Sequence, residues 1–311
     1  MHTLLSILSM FSVNSQFGEE FAELRVAQEL GLIPQQKNCP NCNKIMKISS
    51  SGFKHGKKIW KFNCTDRNCK TKVSPRDRTI FQNSKASIKE IILFIYQFSV
   101  SEHSCQWSNR ELGWSSATFV EWSQILRSVC SCDLLRTHDK IGGPGDIIEI
   151  DETVVSRRKY NRGRLVKTQW LFGGISRQTK RCFMVEVEDR SAATLLPIIF
   201  ENVKPGSTIL SDEWKAYNQL VNYGFKHGTV NHSLNFVNPQ TGDHTQNIEN
   251  CWGRMKRVLK KRNGINAEKR ASHLEEFMWR QKIKGKNSFQ EMISIIAKFF
   301  PGNADIDPFF L

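Results

Sequence analysis

Apolar residues in the N-terminal half of the chain recur mainly at helical spacing. One run starts directly after a capping-box pair formed by Ser87 and Glu90. A second run, residues 119–129, follows Ser115 and Ser116, either of which would cap a helix. The pattern therefore predicts two amphipathic helices in this part of the chain.

A short helix between these two is predicted by a second capping-box pair, Ser108 with Glu111, and Gly113 would end it. A helix, a turn containing glycine and another helix form the layout of a helix-turn-helix module, which we place at residues 85–136. In such a module the helix of residues 116–129 would lie in the major groove of DNA and read its bases. The alternative is a helical bundle without DNA contact.

The pattern changes to strands after a break rich in glycine and proline at residues 137–146. Strands are predicted at residues 147–155, 166–175, 182–187, 207–212 and 229–232, the first three as an antiparallel meander. Helices are predicted at residues 192–203, 215–223 and 243–262. The order βββαβαβα is that of the ribonuclease H-like fold, an α/β fold in which helices flank a mixed sheet. We therefore place a ribonuclease H-like catalytic domain at residues 146–262, followed by a helical extension at 263–311.

The length of the chain indicates its number of domains, and its charge indicates a class of partner. The 311 residues are 39% hydrophobic and 24% charged, which suits a globular chain of about two domains. Lys+Arg 45 and Asp+Glu 30 give a formal net charge of +15, so nucleic acid is the first candidate partner. A membrane is the rival, but no apolar run approaches the roughly 20 residues of a spanning helix. We interpret the mildly apolar start as part of a helical segment, residues 1–36, and not as a signal peptide.

Four of the nine cysteines stand in two close pairs, Cys39 with Cys42 and Cys64 with Cys69. Two such pairs can form a tetrahedral Cys₄ site between short strands, which predicts a zinc ribbon with a structural Zn²⁺ at residues 37–75. The alternative is a set of unrelated buried thiols. This cysteine usage suits a reducing compartment better than a disulfide framework.

Residues 243–262 combine an apolar stripe with an unusual charged face. The apolar positions at helical spacing are Ile248, Trp252, Met255 and Leu259. On the neighbouring face Glu249 stands in line with several cations. At the edge of a polyphosphate-binding site the bases would hold phosphates and the acid a metal ion. A solvated face with ordinary ion pairs is the alternative.

Three acids from distant parts of the chain can converge in the predicted topology. Asp151 lies in the first strand, Asp212 ends the fourth strand, and Glu249 lies on the following helix. Such a cluster needs cations, and oxygen ligands favour Mg²⁺ or Mn²⁺ in a two-metal site for phosphoryl transfer. The alternative is that Asp212 caps a helix and Asp151 is an incidental strand residue beside Glu152.

Several motifs, in order along the chain, resemble those of one group of DNA transposases. They are IEIDET at 148–153, KYNRGR at 159–164, SDEWKAY at 211–217, VNHS at 230–233 and HTQNIENCW at 244–252. They resemble the DDE transposases of the Merlin superfamily and their bacterial insertion-sequence relatives, over roughly residues 37–262. The resemblance implies that Asp151, Asp212 and Glu249 are the catalytic acids. Four further residues occupy family-like positions without an assigned role: Glu152, His232, His244 and Asn247.

The resemblance implies a cut-and-paste transposase that binds terminal inverted repeats, hydrolyses DNA at each end and joins the 3′-OH ends to target DNA. The residues expected to contact double-stranded DNA are Lys256, Arg257, Lys260, Lys261, Lys57 and Lys58. Because two ends must be joined, we expect a homodimer or larger assembly. The expected location is the nucleus in a eukaryotic host, and otherwise the cytoplasm with the nucleoid. The alternatives are a host-recruited DNA-binding protein and a structure-specific nuclease with the same core.

Overall fold

Two compact units make up the chain, residues 1–129 with 285–311 and residues 130–284. The computed structural model describes residues 6–9, 19–54, 57–100, 103–156, 169–212, 217, 219–230, 244–262 and 265–303. None of the helices in these ranges combines the length and the apolar character that crossing a membrane requires.

The first unit contains helix α1 (Glu19–Glu29) and a four-stranded antiparallel sheet. The strands, in spatial order, are β1 (Lys37–Asn38), β2 (Ile45–Lys54), β3 (Lys57–Cys64) and β4 (Lys72–Val73). The long hairpin of β2 and β3 buries Met46 and Phe62 completely. Cys39 follows β1 and Cys64 ends β3, while Cys42 and Cys69 lie in the turns before β2 and β4, so the predicted ribbon layout is confirmed.

Three helices follow the ribbon: α2 (Ile88–Ser99), α3 (Cys105–Leu112) and α4 (Ser116–Thr137). The predicted box at α2 is confirmed, since Ser87 Oγ accepts from the Glu90 amide at 3.1 Å and Glu90 Oε2 accepts from the Ser87 amide at 3.0 Å. Ser115 is the residue that caps α4, its Oγ accepting from the Thr118 amide at 3.2 Å. Gly113 ends α3 in the left-handed conformation, with φ of 68°.

The second unit is built on a five-stranded mixed sheet. Its strands are β5 (Ile147–Ser156), β6 (Gln169–Ser176), β7 (Cys182–Val187), β8 (Thr208–Asp212) and β9 (Lys226–Val230). The spatial order is β7-β6-β5-β8-β9, with β5, β6 and β7 antiparallel and β5, β8 and β9 parallel. This is the ribonuclease H-like arrangement that the order of elements predicted.

Helices cover both faces of this sheet. Helix α5 (Ala192–Asn202) and a 3₁₀ helix (Leu220–Tyr223) belong to one apolar cluster, which contains Ile148 and Ile150 of β5. Helices α6 (Gln246–Lys261) and α7 (Ala267–Lys282) belong to the other cluster. The stripe predicted for α6 is confirmed, because Ile248, Trp252 and Met255 are buried there and Leu259 packs against them. β5 is therefore a central strand with both faces covered.

Helix α8 (Ser288–Phe299) returns to the first unit and packs against α2. The rings of Tyr96 on α2 and Phe289 on α8 lie 5.5 Å apart, centroid to centroid, in an edge-on arrangement. The two helices of the predicted extension thus belong to different units, α7 to the second and α8 to the first.

The start of α3 differs from the sequence prediction. Ser104 caps it, with its Oγ accepting from the Trp107 amide at 3.1 Å. Ser108 is completely buried within the helix, so the predicted box of Ser108 and Glu111 is wrong. Both serines are followed by a helix-compatible sequence, and tertiary burial of Ser108 decides between them.

Two elements of the second unit also differ from prediction. Where a helix was predicted at 215–223, the structure has the 3₁₀ helix Leu220–Tyr223, while residues 213–216 and 218 lie outside the described residues. The last strand was predicted at 229–232, but β9 begins at Lys226 because its parallel pairing with β8 starts there. His232 lies outside the described residues.

Gly174→Ala should destabilise the second unit by about 1–3 kcal/mol, as overpacking of a core does. A Cβ at position 174 would lie 2.5 Å from Phe183 Cε1 and 3.1 Å from Ile150 Cγ2. The matched control is Gly253→Ala on α6, where nothing lies within 4 Å of the added methyl. This control should be stabilising by about 0.5–1 kcal/mol, because alanine favours helix. Urea unfolding midpoints of the two variants measure the contrast, and equal midpoints would contradict the packing described.

Candidate functional site

Asp151, in the middle of β5, lies beside Asp212, the last residue of the neighbouring parallel strand β8. The ladder between β5 and β8 pairs Ile147 with Thr208 and Glu149 with Leu210. Continuing this register by two residues places Asp151 beside Asp212. Two steps along a strand return a side chain to the same face, and neighbouring strands lie about 4.8 Å apart. The structure therefore brings these two predicted acids together.

Glu249 reaches the same neighbourhood from the first turn of α6, where its side chain is exposed. Burial raises the pKa of Asp151 to about 6, and the charges of Asp212 and Glu249 add to this rise. The three acids therefore interact electrostatically. Their oxygens do not form a group within 4.8 Å of one another, an arrangement that only the four ribbon cysteines reach in the described ranges.

The chemistry of this acid cluster suits a hard divalent cation. Its three carboxylates offer only oxygen ligands, which Mg²⁺ and Mn²⁺ prefer. The raised pKa of Asp151 reflects desolvation and like-charge repulsion, and a cation placed among the acids would offset both. Asp151, Asp212 and Glu249 are thus able to hold metal beside the carboxyl end of β8.

Glu152 lies on the opposite face of β5 from Asp151, since successive strand residues alternate. The Tyr217 hydroxyl donates a hydrogen bond to Glu152 Oε1. Burial raises the pKa of Glu152 to about 8, with further contributions from the charges of Asp212 and Asp151 and a smaller opposing effect of Arg190. The Glu152 carboxyl is therefore mainly protonated at neutral pH in the metal-free protein.

Helix α6 runs along β5 and contacts alternate residues of the strand. Trp252 Nε1 donates to Asp151 Oδ2 at 3.1 Å, and Lys256 Nζ donates to Thr153 Oγ1 at 2.6 Å. Two strand residues span about 6.6 Å and four helix residues about 6.0 Å, so the two spacings nearly match. The indole of Trp252 thereby fixes the direction in which the Asp151 carboxylate points.

Gly173 makes room for this indole. It pairs with Asp151 across the β5–β6 ladder. A Cβ at position 173 would lie 2.7 Å from Trp252 Cη2 and 2.7 Å from the Phe183 carbonyl oxygen. Any larger residue would displace the tryptophan from the strand.

Glu149 binds the start of α6 from within the sheet. Its side chain is fully buried, and Glu149 Oε2 accepts from the backbone amides of Asn247 at 2.7 Å and Ile248 at 3.1 Å. Glu149 Oε1 accepts from Asn247 Nδ2 at 2.7 Å and Arg177 Nε at 2.6 Å. Arg177 also donates to the His244 carbonyl at 2.6 Å. His244 and Asn247, two of the family-like positions, thus belong to this network.

The cations predicted on α6 are all exposed. Lys256 is engaged with Thr153, and Arg257 Nε donates to the Gly253 carbonyl at 3.3 Å. Lys260 and Lys261 occupy the last turn. On the ribbon, Lys57 begins β3 and exposed Lys58 has its Nζ 5.2 Å from the centroid of the Trp60 ring.

A separate metal-competent group lies in the ribbon, where the ligand atoms of Cys39, Cys42, Cys64 and Cys69 are all within 4.8 Å of one another. The Sγ atoms of Cys39 and Cys69 are 3.5 Å apart, and those of Cys42 and Cys64 are 3.4 Å apart. Tetrahedral zinc with Zn–S bonds of about 2.3 Å would separate its sulfurs by about 3.8 Å. The hydroxyl of Thr71 and the amide of Asn41 lower the pKa of Cys69 to about 6. The four thiols therefore fit Zn²⁺.

Comparison with known proteins identifies the family. The model of the ISXO2-like transposase domain matches residues 143–282. A protein of Haemophilus influenzae described as an uncharacterized transposase-like protein is 34% identical over 123 residues, 40% of this chain and 96% of the relative. The chain belongs to the ISXO2-like transposase family. The resemblance predicted from the motifs is thereby confirmed, and the domain matched in this ISXO2-like protein begins shortly before β5 and ends with α7.

Solved structures give weaker likenesses. The catalytic core domain of HTLV-2 integrase in complex with magnesium is 13% identical, with 46% of this chain and 88% of that chain covered at a TM-score of 0.29. The Mos1 transposase paired-end complex with the left transposon end is 13% identical, with 66% and 78% covered at a TM-score of 0.27. TM-scores this low do not transfer residue roles to the ISXO2-like protein.

Sequence reasoning missed the residues that support the acids. Glu149, Arg177, Tyr217 and Gly173 had no predicted role, and Trp252 was expected only to pack. One signal was available: Glu149 shares the face of Asp151 on a strand with buried isoleucines on its other face. A charged residue at such a position must find partners, because burying an unpaired carboxylate is costly.

Purified wild-type protein should contain about one Zn²⁺ per chain, and Cys64→Ser should lose most of it, because a structural site needs all four thiolates. The matched control is Cys105→Ser, since Cys105 lies outside the cluster and its Sγ is 3.5 Å from Ser116 Oγ. Elemental analysis of protein purified without chelator gives the metal content. Wild-type protein without zinc would overturn the ribbon assignment.

The contribution of Glu152 to the stability of the metal-free protein should fall as pH rises from about 4.5 to about 8, because folding raises the pKa of Glu152 from 4.5 to about 8. The folded chain then binds more protons than the unfolded chain within this window, so the free energy of unfolding falls with pH. Glu152→Gln keeps the oxygen that accepts from Tyr217 and should be more stable than wild type at pH 8.5, by an amount on the order of a few kcal/mol, and about equal at pH 4.5. Exposed Glu188→Gln is the control, with urea unfolding in EDTA as the measurement. A constant difference between Glu152→Gln and wild type across this window would contradict the raised pKa.

Proposed function

We propose that this ISXO2-like protein is a cut-and-paste DNA transposase. It would bind terminal inverted repeats, hydrolyse a phosphodiester bond at each end and transfer the 3′-OH ends to target DNA. The observation that carries the proposal is the placement of Asp151 beside Asp212 on neighbouring parallel strands, with Glu249 acting on the pKa of Asp151. Membership of a transposase family supports the same conclusion.

In this proposal Asp151, Asp212 and Glu249 hold the metal ions. Two Mg²⁺ or Mn²⁺ ions, when bound, supply activation of water and neutralisation of the developing phosphate charge. The 3.1 Å hydrogen bond from Trp252 Nε1 fixes the orientation of the Asp151 carboxylate. The apolar cluster beneath α6 keeps the helix, and with it Glu249, against the sheet.

The exposed cations of α6 would bind the DNA backbone near the acids. Lys256, Arg257, Lys260 and Lys261 follow Glu249 on the same helix, so backbone phosphates would be held about two to three turns beyond the acid. Phosphate contacts of this kind carry no sequence information and weaken steeply with salt. Lys57 and Lys58 would add contacts from the ribbon, and α4 would read bases.

Joining two ends requires two active sites, so a homodimer or larger assembly forms part of the proposal. The chain would work in the nucleus of a eukaryotic host, or with the nucleoid otherwise. On this proposal, inverted repeats flanking the gene would supply the DNA substrate for the cleavage and strand-transfer assays.

Asp212→Asn should reduce cleavage of a duplex carrying one inverted repeat by at least about a thousandfold, because a metal-binding carboxylate is lost from the cluster. Binding of the same duplex, measured by gel shift in EDTA, should remain within about twofold of wild type, since phosphate contacts carry the affinity. The matched control is Asp189→Asn, an exposed aspartate of the same unit that accepts from the Ser191 amide and should cleave normally.

A strand-transfer assay with pre-cleaved ends separates the proposal from its rivals. Joined product supports the transposase. Hydrolysis without joining indicates a structure-specific nuclease, and binding without either reaction indicates a host-recruited DNA-binding protein. Cleavage by Asp212→Asn at the wild-type rate would overturn the assignment of the acid.

A further inference from the structure

The start of α6 is capped from another element. The residue at its N-cap, Thr245, makes no side-chain hydrogen bond to the helix. The amides of Asn247 and Ile248, which a capping side chain ordinarily binds, donate instead to Glu149 Oε2 at 2.7 and 3.1 Å. The cap is therefore a carboxylate of β5, which lies 98 positions from Asn247 along the chain.

Neighbouring polar groups hold the Glu149 carboxylate in place. Glu149 is fully buried, and its second oxygen accepts from Arg177 Nε and from Asn247 Nδ2. The Nδ1 atom of His244 lies 3.6 Å from the same oxygen. Lys180 Nζ donates to Asn247 Oδ1 at 3.0 Å, which holds that amide in place. A negative charge at this end of a helix is also favoured by the helix dipole.

Glu149 and Asp151 are separated by two positions on one strand and therefore share a face. The amides that Glu149 binds belong to the two residues directly before Glu249. β5, which carries Asp151, thus fixes the first turn of α6 both along the helix axis and in its rotation about that axis. Glu249 belongs to this turn.

We propose that Glu149 is a positioning residue for Glu249: it holds the first turn of α6 so that this acid faces Asp151 and Asp212. The inference rests on the proposed function, because it assigns Glu149 a role in metal binding by that same site. Glu149 itself is occupied by four donor groups and binds no metal. A buried ion pair with Arg177 that only adds stability is the competing explanation.

Manganese binding separates the two explanations without needing a DNA substrate. Glu149→Gln in the full-length chain should weaken Mn²⁺ binding about tenfold, the range found when a partner of a metal ligand is removed. Titration followed by electron paramagnetic resonance measures the affinity. The matched control is Glu186→Gln, which alters another carboxylate–arginine pair of the same unit, 3.1 Å from Arg270, and should bind Mn²⁺ as wild type does.

A double-mutant cycle tests whether Glu149 acts through Glu249. On a Glu249→Gln background the Glu149→Gln change should have no further effect on Mn²⁺ affinity, because the ligand it positions is already lost. A purely structural role would give the same fractional loss on both backgrounds, or none on either, and would overturn the inference.

Asp151→Asn distinguishes failure of the proposed function from failure of the positioning role alone. If Mn²⁺ affinity is unaffected by that substitution, the proposed function fails and the inference fails with it. If Asp151→Asn abolishes binding but Glu149→Gln binds normally, only the positioning role is overturned. Should Glu149→Gln not fold, Asn247→Ala decides: a loss of about two- to fivefold that vanishes on the Glu249→Gln background supports the inference, and an unchanged affinity overturns it.

Discussion

The parallel pairing of β5 with β8 is the constraint on which the rest of the second unit depends. It aligns two strands that are far apart in sequence so that Asp151 of β5 and Asp212 of β8 fall at one level of the sheet. The other elements of the site are arranged around these two acids. The antiparallel partner β6 contributes Gly173, whose missing side chain leaves space for the indole that binds Asp151.

The acids on the two faces of β5 have opposite electrostatic environments. On the α6 face, Glu149 is surrounded by donors, and Asp151 is held by an indole and repelled by other acids. On the α5 face, Glu152 is buried beside Tyr217 and kept protonated. Alternation along a strand, the simplest property of a sheet, thus separates a charged site from a neutral carboxyl one residue away.

Much of this fold could be predicted from sequence because its signals are local. Apolar periodicity and turn residues located the strands and α6, and the cysteine spacing located the ribbon. Position in the predicted topology, together with the family motifs, pointed to Asp151, Asp212 and Glu249. The first helical turn of α3 was misplaced because Ser108 and Glu111 match a capping box in sequence, whereas burial of Ser108 leaves Ser104 as the cap.

The supporting residues could not be predicted because their partners are remote. Glu149 meets Asn247 across 98 positions and Arg177 across 28, and no local pattern encodes such pairings. The space at Gly173 has meaning only once Trp252 is known to fill it. Sequence can nominate the groups that do chemistry, whereas the groups that orient them emerge from packing.

The division of the chain into two units also determines the order in which the elements of each unit are synthesised. The second unit is continuous, so all of its strands and helices have been translated before α8 is made. The first unit is discontinuous: α2 is made early, and its packing partner α8 only after the whole sheet. The first unit therefore cannot complete its packing until the ribosome has passed through the whole of the second unit.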